Sequence, residues 1–138
     1  MTNAVPEHAW GKVDVRFAKS EGICRIDRDF KDIAARQYVS DTKTVVKPLI
    51  AFPAMERLSA SEDLFARAEA VAKAYSFPKM KAIAVGGGSD SANLTAVGIP
   101  TLCALGVRGE FNHTEREWAD EASLYERTKL LMAFLCEL

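Results

Sequence analysis

The stretch AVGGGSDSANLTAVGIPTLCALG, residues 84–106, limits the architecture more than any other part of the chain. The apolar run KAIAV ends in Gly86, Gly87 and Gly88, the segment SANLTAVG reads as a short helix stopped by Gly98, and IPTLCALG is a second short apolar run. Strand, helix and strand in succession predict a parallel βαβ unit. Three consecutive glycines lose more backbone entropy on folding than a plain connector requires, so bare backbone is needed there, for positive φ or for the close approach of another group. In an open α/β sheet ligands sit beyond the carboxyl ends of the strands. The free N–H groups at the start of the helix, with the Ser89 hydroxyl beside them, suit a carboxylate or a phosphate. A plain strand-to-helix turn fits the same residues, and GGGSDSA carries neither a GK[ST] sequence nor GxGxxG spacing.

The remaining segments supply alternating elements. WGKVDVRF sets Val13, Val15 and Phe17 against Lys12, Asp14 and Arg16, the period of a half-buried strand. SEGICRIDRDFKDIAARQY spaces Ile23, Ile26, Phe30 and Ile33 as an amphipathic helix with Ser20 available as its cap. TKTVVKPLIAFPAM predicts a strand near residues 43–50 that Pro48 and Pro53 keep from being central throughout. SASEDLFARAEAVAKAYSF begins with Ser59 and Ser61, carries Glu62 and Asp63 in its first turn and repeats Leu64, Ala68, Val71 and Tyr75 at helical intervals. DEASLYERTKLLMAFL closes the chain with a helix whose Leu124, Leu131, Phe134 and Leu135 must dock on something apolar. The order β-α-β, then α-β-α-β-α, changes character near residues 54–60, and each half is short for an independent fold. The fold class is α/β: a small α+β piece followed by part of a sheet with helices on its faces.

Composition narrows the function. The chain has 138 residues, 49% hydrophobic and 27% charged, with a net charge of −1, so it suits one soluble domain or two small ones and lacks the basic excess that neutralises phosphates in nucleic acid. No apolar run approaches the roughly 20 residues of a spanning helix, and the first residues lack the charged start and apolar core of a secretory signal, which predicts no membrane partner and a cytoplasmic location. Cys24, Cys103 and Cys136 stand alone without a CxxC pair, the pattern of reduced and mostly buried thiols.

Two further residues could carry chemistry. His113, in GVRGEFNHTEREW, sits in a polar loop after the last apolar run, where an imidazole can ligate metal. A single loop histidine without an HxH or HExxH partner is ordinarily a solvated side chain, and His8 near the N-terminus is a weaker candidate still. Arg16 lies on the polar face of the first strand, where a guanidinium can clamp a carboxylate or simply face water.

Taken in order, these segments resemble the zinc-dependent peptidase and deacylase family that includes acetylornithine deacetylase, succinyl-diaminopimelate desuccinylase and bacterial glutamate carboxypeptidase. NAVPEHAWGKVDVRF resembles the family's lid segment, GGGSDSANLTAVGIPTL its glycine-rich substrate loop, and GVRGEFNHTEREW the late segment carrying a zinc-ligand histidine and a downstream glutamate. The resemblance implies that Asn3 and Arg16 hold the substrate carboxylate, that Ser89 and the backbone of Gly86, Gly87 and Gly88 line the same pocket, and that His113 ligates one of two zinc ions. It divides the chain into residues 1–55, the second half of a lid and dimerisation unit, and residues 56–138, the C-terminal part of a catalytic domain.

The same resemblance implies what residues 1–138 do not contain: the histidine-x-aspartate motif, the metal-bridging aspartate, the catalytic glutamate with its acidic neighbour, and the lid histidine that reaches across a dimer. Amide hydrolysis needs a metal-bound water, a general base and transition-state stabilisation together. The expectation is therefore the C-terminal portion of an amidohydrolase acting on N-acyl amino acids or small peptides, inactive alone, with exposed strand edges that favour a homo-oligomer. The alternative is a non-catalytic module that binds a small carboxylate or serves oligomerisation.

Overall fold

A computed structural model describes residues 3–48 and 52–138. In chain order the elements are α1 (Gly22–Ala35), α2 (Ser59–Ala74), α3 (Ser91–Ala96), β1 (Gly109–Glu110), β2 (Trp118–Ala119) and α4 (Glu121–Cys136). All four helices fall where the apolar spacing places them. The class is mixed α/β, with helices predominating and the strands forming one two-stranded antiparallel ladder, Gly109 opposite Ala119 and Glu110 opposite Trp118.

The core lies where α2 meets α4. Ala68, Val71 and Ala72 of α2 pack with Leu130 and Phe134 of α4 and with Met80, and Leu64, Phe65, Phe77, Leu102, Leu105 and Ala133 close around them. Small side chains on α2 let the axes approach, and Phe134, only 6% exposed, fills the space between. The end of α2 is fixed by a Schellman motif: Phe77 N–H donates to the Ala72 carbonyl at 2.7 Å and Ser76 N–H to that of Lys73 at 3.2 Å, with Ser76 at φ 58°. α3 ends the same way, Ile99 N–H on the Leu94 carbonyl and Gly98 N–H on that of Thr95, both 3.0 Å, with Gly98 at φ 83° supplying the left-handed residue that the sequence assigned to it.

The serines expected as caps serve other elements. Ser20 leaves α1 without a side-chain cap; its hydroxyl accepts from Ala54 N–H at 2.9 Å while its own N–H donates to Glu56 Oε1 at 2.9 Å, tying the entry of α1 to the segment before α2. The cap position of α2 is Leu58, and Ser61 Oγ accepts from Thr101 N–H at 3.0 Å. α4 has a side-chain cap, Asp120 Oδ1 accepting from Ala122 N–H at 3.0 Å.

The predicted strands at residues 10–17, near 43–50, at 81–85 and at 99–106 form no ladder among the described residues, and residues 49 and 50 lie outside them. The parallel βαβ unit is thereby replaced by extended segments whose backbone groups are taken up individually. Thr101 N–H goes to Ser61, the Gly86 carbonyl goes to Arg16, and a left-handed Ala104 at φ 59° breaks the period of two. Ile83 and Val85 are left 78% and 72% exposed.

The β1–β2 hairpin was read from the sequence as part of a polar loop. Gly109 makes it possible, because a Cβ at that position would collide with the Trp118 carbonyl oxygen. Its base is stapled to α4: Arg108 N–H donates to Ser123 Oγ at 2.8 Å, the Ser123 hydroxyl donates to the Asp120 carbonyl at 2.7 Å, and Asp120 N–H returns to the Arg108 carbonyl at 2.8 Å. Ser123 is fully buried by this arrangement.

Candidate functional site

Two of the residues singled out in the sequence meet in space although 70 positions separate them. Arg16 Nη1 donates to the Gly86 carbonyl at 2.5 Å, and the same guanidinium is held by Asp14, Nη2 to Oδ2 at 2.8 Å and Nε to Oδ2 at 3.3 Å. The period of two puts Asp14 and Arg16 on one side of an extended segment, so the acid reaches its neighbour without a turn. The pair is exposed, with 63% of the arginine side chain and 73% of the aspartate open to solvent, and by itself stabilises the fold little.

The glycine loop departs from one expectation. Among the described glycines only Gly98 has positive φ, so Gly86, Gly87 and Gly88 do not use the left-handed region. Their bareness acts on space: a Cβ at Gly87 or Gly88 would meet nothing within 4 Å, and one at Gly86 would touch only the Arg16 side chain, at 3.5 Å from Nη1. The main chain here is open to a visiting group and is not crowded by the protein itself.

Ser89 lies one residue beyond the glycines and contacts a group that the sequence did not mark as part of the site. Its Oγ accepts from Ser91 N–H at 3.2 Å and lies within hydrogen-bond distance of Cys103 Sγ, 3.1 Å away. Hydrogen bonds from Ser89, then from Ser91, favour the thiolate and lower the Cys103 pKa below the ordinary thiol value, against a smaller opposing effect of burial. Cys24, Cys103 and Cys136 are free thiols, and all three are exposed, which corrects the expectation that they are buried. Nothing in the sequence marks Cys103 as a neighbour of the loop: it lies within the apolar run 99–106, and a spacing of 14 residues from Ser89 carries no periodicity by which to find it.

His113 occupies the tip of the hairpin in a left-handed conformation, φ 66°, two residues after Phe111 at φ 60°. The loop is held by its own polar atoms. Thr114 Oγ1 donates to the Phe111 carbonyl at 2.7 Å and accepts from Arg116 N–H at 3.2 Å, the His113 amide faces Glu117 Oε2 at 3.4 Å, and the Arg116 guanidinium lies 4.8 Å over the Phe111 ring. The imidazole is exposed, and no hydrogen bond joins His113 to Arg16, Ser89 or Asn3 among the described residues. Asn3 is exposed in a turn at the start of the described chain, likewise without such a contact.

The donor set does not make a metal site within these residues. No group of three or more His, Cys, Asp and Glu side chains able to hold a metal ion occurs among the described residues, whereas a catalytic zinc takes three protein ligands. Two concavities lie on the helical core: an apolar gap of about 10 Å³ bounded by Ala68, Leu130 and Phe134, and an open groove of about 470 Å³ along Glu69, Lys73 and Lys79. Neither includes Arg16, the glycine loop or His113. No described helix is long and apolar enough to cross a membrane.

Comparison with known proteins gives one positive result. No curated protein and no solved structure gives a significant match. A family model described as Peptidase family M20/M25/M40 matches residues 12–137, a span that includes Arg16, the glycine loop and the His113 hairpin and leaves Asn3 outside. Enzymes of that family are generally metal-dependent, whereas no complete metal-binding donor set occurs among the described residues. Matched over nearly its whole length, the chain belongs to peptidase family M20/M25/M40.

Proposed function

We propose that residues 1–138 are the C-terminal portion of a zinc-dependent amidohydrolase of the kind represented by acetylornithine deacetylase, succinyl-diaminopimelate desuccinylase and glutamate carboxypeptidase, acting on N-acyl amino acids or small peptides in the cytoplasm. Residues 1–55 act as the lid part and residues 56–138 as the catalytic part. In this reading Arg16 and Asn3 bind the substrate carboxylate. Gly86, Gly87, Gly88 and Ser89 line the pocket, and His113 supplies one zinc ligand whose companions belong to polypeptide outside these residues. The observation that carries the reading is the contact of Arg16 with the Gly86 carbonyl, which brings the lid arginine onto the glycine loop. When bound, zinc polarises an amide carbonyl and lowers the pKa of a water. The residues present bind and orient, and no hydrolytic step is assigned to them.

Two variants test the binding role by calorimetry with an N-acyl amino acid. Arg16→Ala removes the cation and abolishes measurable binding. Gly87→Ala, whose Cβ meets nothing in the protein, leaves the fold intact and weakens binding by filling the open backbone. Unchanged binding in both variants contradicts the assignment.

A second reading is a carboxylate-binding or oligomerisation module without catalysis, and one observation bears on the assembly that both readings share. The chain exposes 11809 Å², against about 7,100 Å² for a compact monomer of its 15.1 kDa mass. Val13, Ile83, Val85, Val97 and Leu135 contribute to that excess. On either reading a homo-oligomer or a larger assembly covers these residues. Sedimentation of the purified chain tests this: an assembly is expected, and a stable monomer at high micromolar concentration contradicts it.

A further inference from the structure

We infer that Asp14 is a built-in competitor for the carboxylate site, holding the Arg16 guanidinium until a substrate carboxylate takes its place; this rests on the carboxylate role proposed above for Arg16. A guanidinium has five N–H donors. Asp14 Oδ2 takes those of Nε and Nη2, side-on, and the Gly86 carbonyl takes one from Nη1, so three of the five are committed inside the protein.

The two partners do different work. The Gly86 carbonyl is neutral and ties the arginine to the glycine loop, so it orients the cation towards the open backbone of Gly87 and Gly88 without cancelling its charge. Asp14 carries the same charge as a substrate carboxylate and sits on the side-on edge that bidentate carboxylate recognition uses. An incoming carboxylate must therefore displace Asp14 or accept a half-neutralised partner. Removing the Asp14 charge while keeping its shape loses some restraint on Arg16, which Gly86 still supplies, and removes the repulsion between Asp14 and an incoming carboxylate on the same guanidinium. The electrostatic effect is the larger, and the expected outcome is tighter carboxylate binding by about threefold at low salt.

The experiment compares wild type with Asp14→Asn, following the Arg16 Nε–H resonance by NMR, assigned with Arg16→Lys, during titration with acetate and separately with N-acetylglycine. In the wild type the Arg16 Nε–H is shifted from those of freely hydrated arginines and exchanges slowly; in Asp14→Asn it moves towards them, and half-saturation by acetate falls to about one third of the wild-type concentration. Equal or weaker acetate binding by Asp14→Asn overturns the proposal. So does a wild-type Arg16 resonance indistinguishable from those of free arginines. Competition confirmed with acetate while N-acetylglycine binds no better than acetate upholds the role of Asp14 and counts against the N-acyl amino acid reading, which separates the two ideas.

Discussion

Helices α1 and α4 are of similar length, 14 and 16 residues, and they end up in opposite situations. α1 has its apolar residues gathered on one stripe and no residue buried; α4 spreads them more evenly and buries Ser123, Leu130 and Phe134. Amphipathic spacing makes a helix ready for an interface, but burial depends on what stands opposite. α4 faces the small residues of α2, whereas α1 is fastened to the rest of the chain chiefly by the polar contacts of Ser20 with Ala54 and Glu56. The ion pairs of α1, Lys31 with Asp27 at 2.6 Å and Arg25 with Asp29 at 3.7 Å, are exposed and contribute only tenths of a kcal/mol each.

The sharpest way to break this comparison is a pair of truncations. Phe134→Ala is expected to cost about 3–5 kcal/mol in urea unfolding, whereas Ile33→Ala, at a position 53% exposed, stays within about 0.5 kcal/mol. Comparable losses at both sites would mean that α1 is packed in solution. Next in size, Gly109→Ala drives a methyl group into the Trp118 carbonyl and is expected to cost about 2 kcal/mol, with loss of hairpin contacts between residues 109 and 119 in NMR spectra. A variant as stable as wild type would show that the hairpin is not tight in solution.

Smaller still, Ser76→Gly relieves a left-handed serine in the Schellman turn of α2 and is expected to stabilise by about 0.5–1 kcal/mol; a destabilised variant contradicts that geometry. The last prediction concerns the glycine loop. Because Ser89 and Ser91 lower the Cys103 pKa, this thiol is expected to react with iodoacetamide at lower pH than an ordinary thiol. Ser89→Ala should shift its profile upward. The sign for stability follows: the depressed thiol contributes fully above its unfolded value, near 9.0, and that contribution disappears as pH falls through the lowered folded value. A Cys103 profile that Ser89→Ala leaves unchanged would remove Cys103 from the site.

Legibility in the sequence follows the range of the forces involved. The four helices are legible because α1, α2 and α4 each carry their own period and α3 its own stop in Gly98. Strands are not, because a strand is completed only by its neighbour. Residues 81–85 and 99–106 have strand-like composition, yet they pair with no neighbouring strand among the described residues, and the Thr101 N–H is met by the Ser61 side chain instead. The hairpin at Gly109 was hidden because two-residue strands carry no pattern. Arg16 and Gly86 were each visible from local chemistry, but only the family resemblance placed them in one pocket, and the nearness of Ser89 to Cys103 had no local signal at all.

The central claim, that residues 1–138 supply at most one ligand, proposed as His113, and do not by themselves form a metal centre, is tested most directly by zinc titration of the purified 138-residue chain and of His113→Ala, read by calorimetry. Four-ligand zinc sites bind with about 10–16 kcal/mol, so one ligand alone supplies about 3 kcal/mol, a dissociation constant in the millimolar range. The expected result is therefore no stoichiometric zinc uptake at micromolar concentration in either protein. One tightly bound equivalent in the wild type that His113→Ala loses, accompanied by cleavage of an N-acyl amino acid, would contradict the account.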